Sequence, residues 1–278
     1  MSVAQRRQRL DAELVRRGLA RSRQQAGDLV GAGRVTVGGS TATKPATQVE
    51  LSAAIVVRPD ASDPEYASRG AHKLRGALDA FEGVVVAGRR CLDAGASTGG
   101  FTDVLLRAGA ESVVAVDVGY GQLVWALQQD PRVTVMDRTN VRDLSPEQVA
   151  PAPGLVVSDL SFISLALVLP ALARCCAPDA DLLLMVKPQF EVGRERLGAG
   201  GVVRDPALRA EAVRSVAAAA ARVGLRCHGV TASPLPGPSG NVEYFLWLRP
   251  GPAREEAEVA ELVDAAVAAG PTGAGSRA

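Results

Sequence analysis

Apolar residues along the chain follow two different rhythms. Up to residue 60 they come in short clusters. Leu10, Leu14 and Val15 share one face of a helix over RLDAELVRRGL, with Arg9, Arg16 and Arg17 on the other and Gly18 placed to end it. Ser22 is placed to cap a second helix that buries Ala26, Leu29 and Val30. Val35 and Val37 alternate in a strand closed by Gly38 and Gly39, and QVELSAAIVVR completes a small β-unit. Further on, an amphipathic helix carrying Leu74, Ala77, Leu78 and Phe81 leads into short apolar runs separated by helical patterns such as GQLVWALQQD. These runs end at Asp93, Asp117, Asp137, Asp159 and Lys187, and a long helix from Pro206 precedes two last strands. Such alternation predicts an α/β domain, a seven-stranded sheet with helices on both faces. The polar stretch DASDPEYAS contains Pro64 and reads as a linker. The expected organisation is a small α+β domain over 1–60, a linker over 61–68, the α/β domain over 69–250 and a tail over 251–278. In the tail, REEAEVAELVDAAVAA reads as a helix and GPTGAGSRA as disordered.

The stretch CLDAGASTGGFTD organises the second domain. Gly95, Gly99 and Gly100 are separated by Ala96, Ser97 and Thr98, and Phe101 opens a helix. A strand, a tight small-residue turn and a helix N-terminus let backbone N–H groups approach a ligand. Asp117 ends the next strand, where a carboxylate accepts hydrogen bonds from a ribose, and Asp137 at the third strand tip suits an adenine amine. Together they point to a nucleoside-containing cofactor. A dinucleotide site needs G-x-G-x-x-G facing a pyrophosphate, and Asp93 would repel that group. Asp93 suits a cationic ligand, such as the amino end or sulfonium of S-adenosylmethionine. The alternatives are a dinucleotide site and a glycine turn that only packs a helix on a strand. Ligands of open α/β sheets bind beyond the carboxyl ends of the strands, where Asp93, Asp117, Asp137, Asp159 and Lys187 all fall.

Composition narrows the class. The 278 residues, 47% hydrophobic, suffice for one large domain or two modest ones. No apolar run reaches the roughly 18 residues needed to span a bilayer. The opening MSVAQRRQRL lacks the apolar core of a secretory signal, so a cytoplasmic protein is expected. Four cysteines without C-x-x-C spacing, and two histidines, give no expectation of a metal site. The net charge of +1 hides an asymmetry. Residues 1–58 hold ten Lys and Arg against four Asp and Glu, and the remainder is slightly acidic. A basic module on a near-neutral body predicts a polyanionic partner.

The first module resembles the S4 RNA-binding domain through RLD-x-x-LV-x-x-GLA-x-SR (9–23), G-x-V-x-V-x-G (33–39) and Lys44-Pro45. The resemblance implies binding of structured RNA, largely by shape and phosphate, through Arg9, Arg21, Arg23, Arg34 and Lys44. The body is similar to the TlyA (hemolysin A) family of ribose 2′-O-methyltransferases, in the wider FtsJ-like group. The matching strings are SRGAHKL (68–74), DAGASTGGFTD (93–103), SDLSFISL (158–165), KPQFE (187–191) and NVEYFLWL (241–248). The resemblance implies a Rossmann-like class I fold and S-adenosylmethionine held by Asp93, Gly95, Ala96, Ser97, Thr98, Gly99, Gly100, Phe101, Asp117, Asp137 and Asp159. It implies a catalytic tetrad of Lys73, Asp159, Lys187 and Glu243, methylating a cytidine ribose in 16S or 23S ribosomal RNA. A monomer is the expected assembly. The family's linker carries an aromatic followed by a β-branched residue, whereas this chain has Tyr66-Ala67.

The residue types suit this chemistry. A ribose 2′-hydroxyl is a very weak acid, and a lysine can take its proton only when neutral, which burial and a neighbouring cation favour. Lys187 is the expected base and Lys73 the neighbouring cation, with Asp159 and Glu243 orienting them. Three rivals remain: a non-catalytic RNA-binding assembly factor, a membrane-active cytolysin, and a nicotinamide-dependent reductase.

Overall fold

The computed structural model describes residues 7–20, 22–58, 65–237 and 239–271. They form two compact units that divide between Glu65 and Tyr66. The first contains β1 (Arg7–Arg9), α1 (Leu10–Arg16), α2 (Arg23–Gly31), β2 (Val35–Val37), β3 (Ser40–Thr41), β4 (Gln48–Glu50) and β5 (Ile55–Val57). β1 pairs antiparallel with β4, and β2 lies between β3 and β5 in a second antiparallel sheet. Leu10, Leu14, Ala26, Leu29, Val30, Val35, Val49 and Ile55 close its core. The Ser22 hydroxyl caps α2 by accepting from the Gln25 N–H at 3.2 Å.

The second unit runs α3 (Gly70–Ala80), β6 (Arg90–Ala94), α4 (Gly100–Arg107), β7 (Ser112–Val116), α5 (Trp125–Gln128), β8 (Val133–Met136) and α6 (Pro146–Val149). It continues with β9 (Leu155–Ser158), α7 (Leu169–Cys175), β10 (Asp181–Val186), α8 (Pro188–Glu191), α9 (Pro206–Arg222), β11 (Leu225–Ala232), β12 (Tyr244–Pro250) and α10 (Glu256–Ala269). The sheet order is β11-β12-β10-β9-β6-β7-β8. The five strands from β10 to β8 are parallel, and β12 and β11 close the edge antiparallel. The chain therefore lays down β6, builds outward through β7 and β8, then returns to place β9 on the other side. The crevice between β6 and β9 is the switch point at which such sheets bind ligands.

Every residue of β10 is buried, as expected of a parallel strand covered on both faces. One face packs Leu92, Val114, Val156, Leu184 and Leu246 under Leu169, Leu172, Val213 and Val263. The other packs Cys91, Val113, Val157, Met185 and Phe245 under Leu74, Leu78, Phe101 and Leu105. Among the described residues, no helix is long and apolar enough to cross a membrane. The tail's helix is α10, and 272–278 lie outside the described residues.

One expectation changes. GQLVWALQQD is helical only over α5, because Gly121 adopts φ +63 and its N–H is held by the Asp137 carboxylate at 2.9 Å. Within the stretch read as linker, Tyr66 and Ala67 are docked on the second unit. The Ala67 N–H donates to Asp103 at 2.7 Å, and Tyr66 packs edge-on to His72 with the Arg107 guanidinium 4.9 Å from its ring centre.

The turn after β6 is fixed by packing. Gly99 has φ +98, and a Cβ there would lie 2.3 Å from Leu127 Cδ1. Gly121 has φ +63 and nothing within 4 Å of the same position. Gly121→Ala should lose only the left-handed penalty, about 1–2 kcal/mol. Gly99→Ala adds overpacking of about 1–3 kcal/mol and should lose roughly 2–5 kcal/mol in all. Chemical denaturation of both variants checks this, and equal losses would contradict it.

Candidate active site

Three non-glycine residues among those described take positive φ: Ser97 (+48°), Arg138 (+52°) and Phe162 (+64°). They follow β6, β8 and β9, so all three lie at the carboxyl rim of the sheet. Such conformations cost about 1–3 kcal/mol each and gather at functional sites. Phe162 is the most extreme, a bulky side chain that is 91% exposed. Its ring packs at 5.3 Å against Phe190, at the turn after β10.

Around that point lie two buried ion pairs. Lys73, from α3, puts its Nζ 2.6 Å from Glu243 Oε2, at the start of β12. Lys187, at the end of β10, puts its Nζ 2.6 Å from Asp159 Oδ1, at the end of β9. Both lysines are 8% exposed and Glu243 1%. Gln189 Nε2 reaches Glu243 Oε1 at 3.5 Å, so the turn that carries Lys187 also touches the other pair. Lys187 Nζ donates to Ser161 Oγ at 2.8 Å. The Glu191 carboxylate accepts from the Ser164 hydroxyl at 2.6 Å and the Leu165 N–H at 2.9 Å, fastening the loop after β9 to the turn after β10. Burial, against these two hydrogen bonds, raises the Glu191 carboxyl.

The small-residue turn borders the pairs. A Cβ on Gly95 would lie 2.9 Å from the Asp159 carbonyl oxygen, and one on Gly70, in α3, 3.9 Å from Asp159 Oδ2. Gly95 is half-buried, Ser97 and Thr98 are exposed, and Ala96, Gly99, Gly100 and Phe101 are buried. Asp117 accepts from the N–H groups of Ser97 (2.8 Å) and Gly119 (2.7 Å), which shapes the loop while leaving lone pairs on both oxygens. Asp117, Asp137 and Asp159 are half-buried at the tips of β7, β8 and β9, open to a ligand. Asp93 is not. It is wholly buried, its Oδ2 accepts from the Thr102 hydroxyl at 2.7 Å, and its Oδ1 has no partner. β6 aims this side chain toward Thr102 in the first turn of α4.

The FtsJ-like methyltransferase model matches residues 66–250, and the S4 domain model matches residues 8–55. The chain is 64% identical to the 16S/23S rRNA (cytidine-2′-O)-methyltransferase TlyA of Mycobacterium tuberculosis (strain ATCC 25618 / H37Rv), over 88% of this chain and 90% of that protein. The chain belongs to the TlyA group of FtsJ-like methyltransferases. It is also 37% identical to Hemolysin A of Brachyspira hyodysenteriae, over 85% of this chain and 98% of that protein. A solved structure, "Putative hemolysin from Streptococcus thermophilus", superposes with a TM-score of 0.73 at 37% identity, over 95% of this chain and 96% of that one.

The S4 unit of this TlyA-group chain arranges its arginines around buried acids. Asp11, 5% exposed, meets Arg9 at 2.8 Å and Arg23 at 3.1 Å. Glu13, wholly buried, meets Arg16 and Arg17 at 2.6 Å each, and the Arg16 guanidinium leads in holding its carboxyl at about 2. Arg9, Arg16 and Arg23 are exposed residues although their guanidiniums meet the acids. Arg34 is more enclosed, donating to the Arg58 carbonyl at 2.9 Å, and Lys44 is exposed. Arg21 lies outside the described residues. Sequence reasoning missed Ser161, Phe162, Gln189 and Glu191, although all four sit inside SDLSFISL or KPQFE.

Asp93 generates a pH dependence. Burial is the largest cause of a rise in its carboxyl to about 7, opposed by the Thr102 hydroxyl and reinforced by the Asp159 charge. In the unfolded chain the group titrates near an ordinary carboxylate value of about 4. The folded state therefore binds this proton more tightly. The associated stability is fully present below about pH 4 and lost as pH rises through about 7. Asp93→Asn in the ligand-free protein should flatten that part of the stability profile, measured by urea unfolding from pH 4 to 8. An unchanged profile would contradict the assignment.

Proposed function

We propose that this chain transfers the methyl group of S-adenosylmethionine to the ribose 2′-hydroxyl of a cytidine in ribosomal RNA, working on ribosomal subunits in the cytoplasm. The observation that carries the reading is the pair of buried lysine–carboxylate contacts beside the glycine turn at the switch point of the sheet. The rim fits the cofactor: half-buried carboxylates at the tips of β7, β8 and β9, on both sides of β6, suit ribose hydroxyls, an amine and a cationic centre, and Gly95 leaves room beside Asp159. Gly95, Ser97, Thr98, Asp117, Asp137 and Asp159 would hold it, and it supplies an electrophilic methyl on a sulfonium.

The chain's own residues do the rest. Lys187, in its neutral amine form, takes the proton of the attacking hydroxyl as the hydroxyl oxygen bonds the methyl carbon and the methyl–sulfur bond breaks. Ser161 Oγ, 2.8 Å from the Lys187 amine, marks where a hydroxyl sits on that amine, and the ribose hydroxyl displaces it. Lys73 supplies positive charge for the alkoxide or a neighbouring phosphate, and Asp159 and Glu243 keep the two amines in place. Phe162, exposed and strained, offers a face on which the target base stacks once it leaves its helix. Holding hydroxyl and methyl in line can supply roughly 7–11 kcal/mol of the barrier. That role requires the RNA to be gripped elsewhere, by Arg9, Arg21, Arg23, Arg34 and Lys44 of the S4 unit.

The test is transfer of labelled methyl groups to ribosomal subunits, followed by mapping of alkali-resistant ribose positions. Wild type should yield a 2′-O-methylcytidine. Lys187→Ala should lose at least about a hundredfold in turnover while still binding S-adenosylmethionine. Near-normal turnover by that variant would refute Lys187 as the base. Phe162→Ala should weaken RNA use by about 1–3 kcal/mol, read in kcat/KM for RNA, with cofactor affinity unchanged. Unaltered kcat/KM would remove the stacking role.

A further inference from the structure

The second unit carries a basic corner that the reaction does not use. β12 leaves Glu243 at the rim and reaches Arg249 six residues later, about 20 Å away at the opposite edge of the sheet. There Arg249 lies directly opposite Arg226 of β11 in the antiparallel register. Like charges placed this way destabilise a ladder. The register also shifts at His228, and this bulge sets the imidazole 5.3 Å from the half-buried Trp247 ring.

The local acids do not balance the bases. Asp181, 2% exposed, is shared: Arg89 Nη1 meets it at 2.5 Å, Arg249 Nε at 3.3 Å, and the Trp247 indole donates to it at 2.8 Å. Among the described residues, Arg254 has only Glu258 within ion-pair distance, at 3.8 Å. Arg226 has no carboxylate within ion-pair distance among the described residues. The Nε atoms of Arg226 and Arg254 are both buried without an acceptor. The Gly251 N–H donates to the Gly224 carbonyl at 3.0 Å, which brings the segment carrying Arg254 to the end of β11 that carries Arg226.

We propose that this corner is a second RNA contact, an anion site in which Arg226 and Arg254 take a backbone phosphate and the Trp247–His228 pair flanks the adjoining nucleotide. Guanidinium forks match the paired oxygens of a phosphodiester, and a half-exposed aromatic pair beside them accepts a base face. A phosphate here also relieves the opposed Arg226–Arg249 charges. This inference rests on the RNA substrate of the reading above. The corner lies at the far edge of the sheet, so it anchors RNA remote from the reacting ribose.

The test uses the full chain with Arg226→Gln and Arg254→Gln together, leaving the Asp181 partners Arg89 and Arg249 intact. Affinity for ribosomal RNA is measured by filter binding across a salt series, with S-adenosylmethionine binding measured alongside. The expected result is about tenfold weaker RNA binding, a log–log salt slope shallower by about one, and unchanged cofactor affinity. The charge-retaining Arg226→Lys and Arg254→Lys pair should keep the wild-type slope. Arg226→Gln alone should leave the RNA-free protein at least as stable as wild type, since it removes a repulsion. Wild-type RNA binding that the glutamine pair leaves unchanged in affinity and slope overturns the second site alone. A wild-type chain that binds no RNA overturns the substrate reading and this inference together.

Discussion

Two ammonium groups sit almost wholly inside this protein, and each is there because a carboxylate meets it at 2.6 Å. A buried charge without its partner costs several kcal/mol, so neither lysine could hold its place alone. The pairs also act as fasteners. Lys73–Glu243 joins α3 to the start of β12, a sequence separation of 170 residues. Lys187–Asp159 joins the ends of β10 and β9. Gln189 and Ser161 extend the contacts of each pair, so the rim is assembled from four elements through side-chain charge and hydrogen bonding.

The fold supplies the place for this assembly. A parallel sheet that starts at β6 and grows in both directions opens a crevice at its carboxyl ends. The strained backbone of Ser97, Arg138 and Phe162 is gathered at that end, where Asp117 holds the Ser97 N–H and the Gly119 carbonyl holds the Arg138 N–H. The same device recurs in the S4 unit, where buried Asp11 and Glu13 aim exposed arginines. In both units a carboxylate orients a base: at the rim the base is itself buried, and in the S4 unit it reaches solvent.

Much of this was legible in the residues. The apolar rhythm carried the strand–helix alternation, and the strand ends at Asp117, Asp137, Asp159 and Lys187 followed from it. Glu243 was legible only through resemblance, because a lone carboxylate before a strand looks like any surface acid. Asp93 was placed at the strand tip, but the side of the strand to which it points depends on α4 and Thr102, and the outcome was burial. The short α5 arose because Asp117 and Asp137 capture the N–H groups of Gly119 and Gly121, a competition between side chain and helix that periodicity does not register. Phe162 was missed for a related reason. Nothing in its identity announces a left-handed backbone, which lies two residues before the Ser164 and Leu165 groups that Glu191 holds.

The central claim is that the two lysines work as one charge-paired unit. Single-turnover methyl transfer by Lys73→Ala, Lys187→Ala and the double variant tests it most directly. Groups that act as a unit lose their contributions together. The account predicts that the double variant is no slower than the slower single variant, within about threefold. Losses that multiply would contradict it, since they would mean that each amine contributes independently of the other.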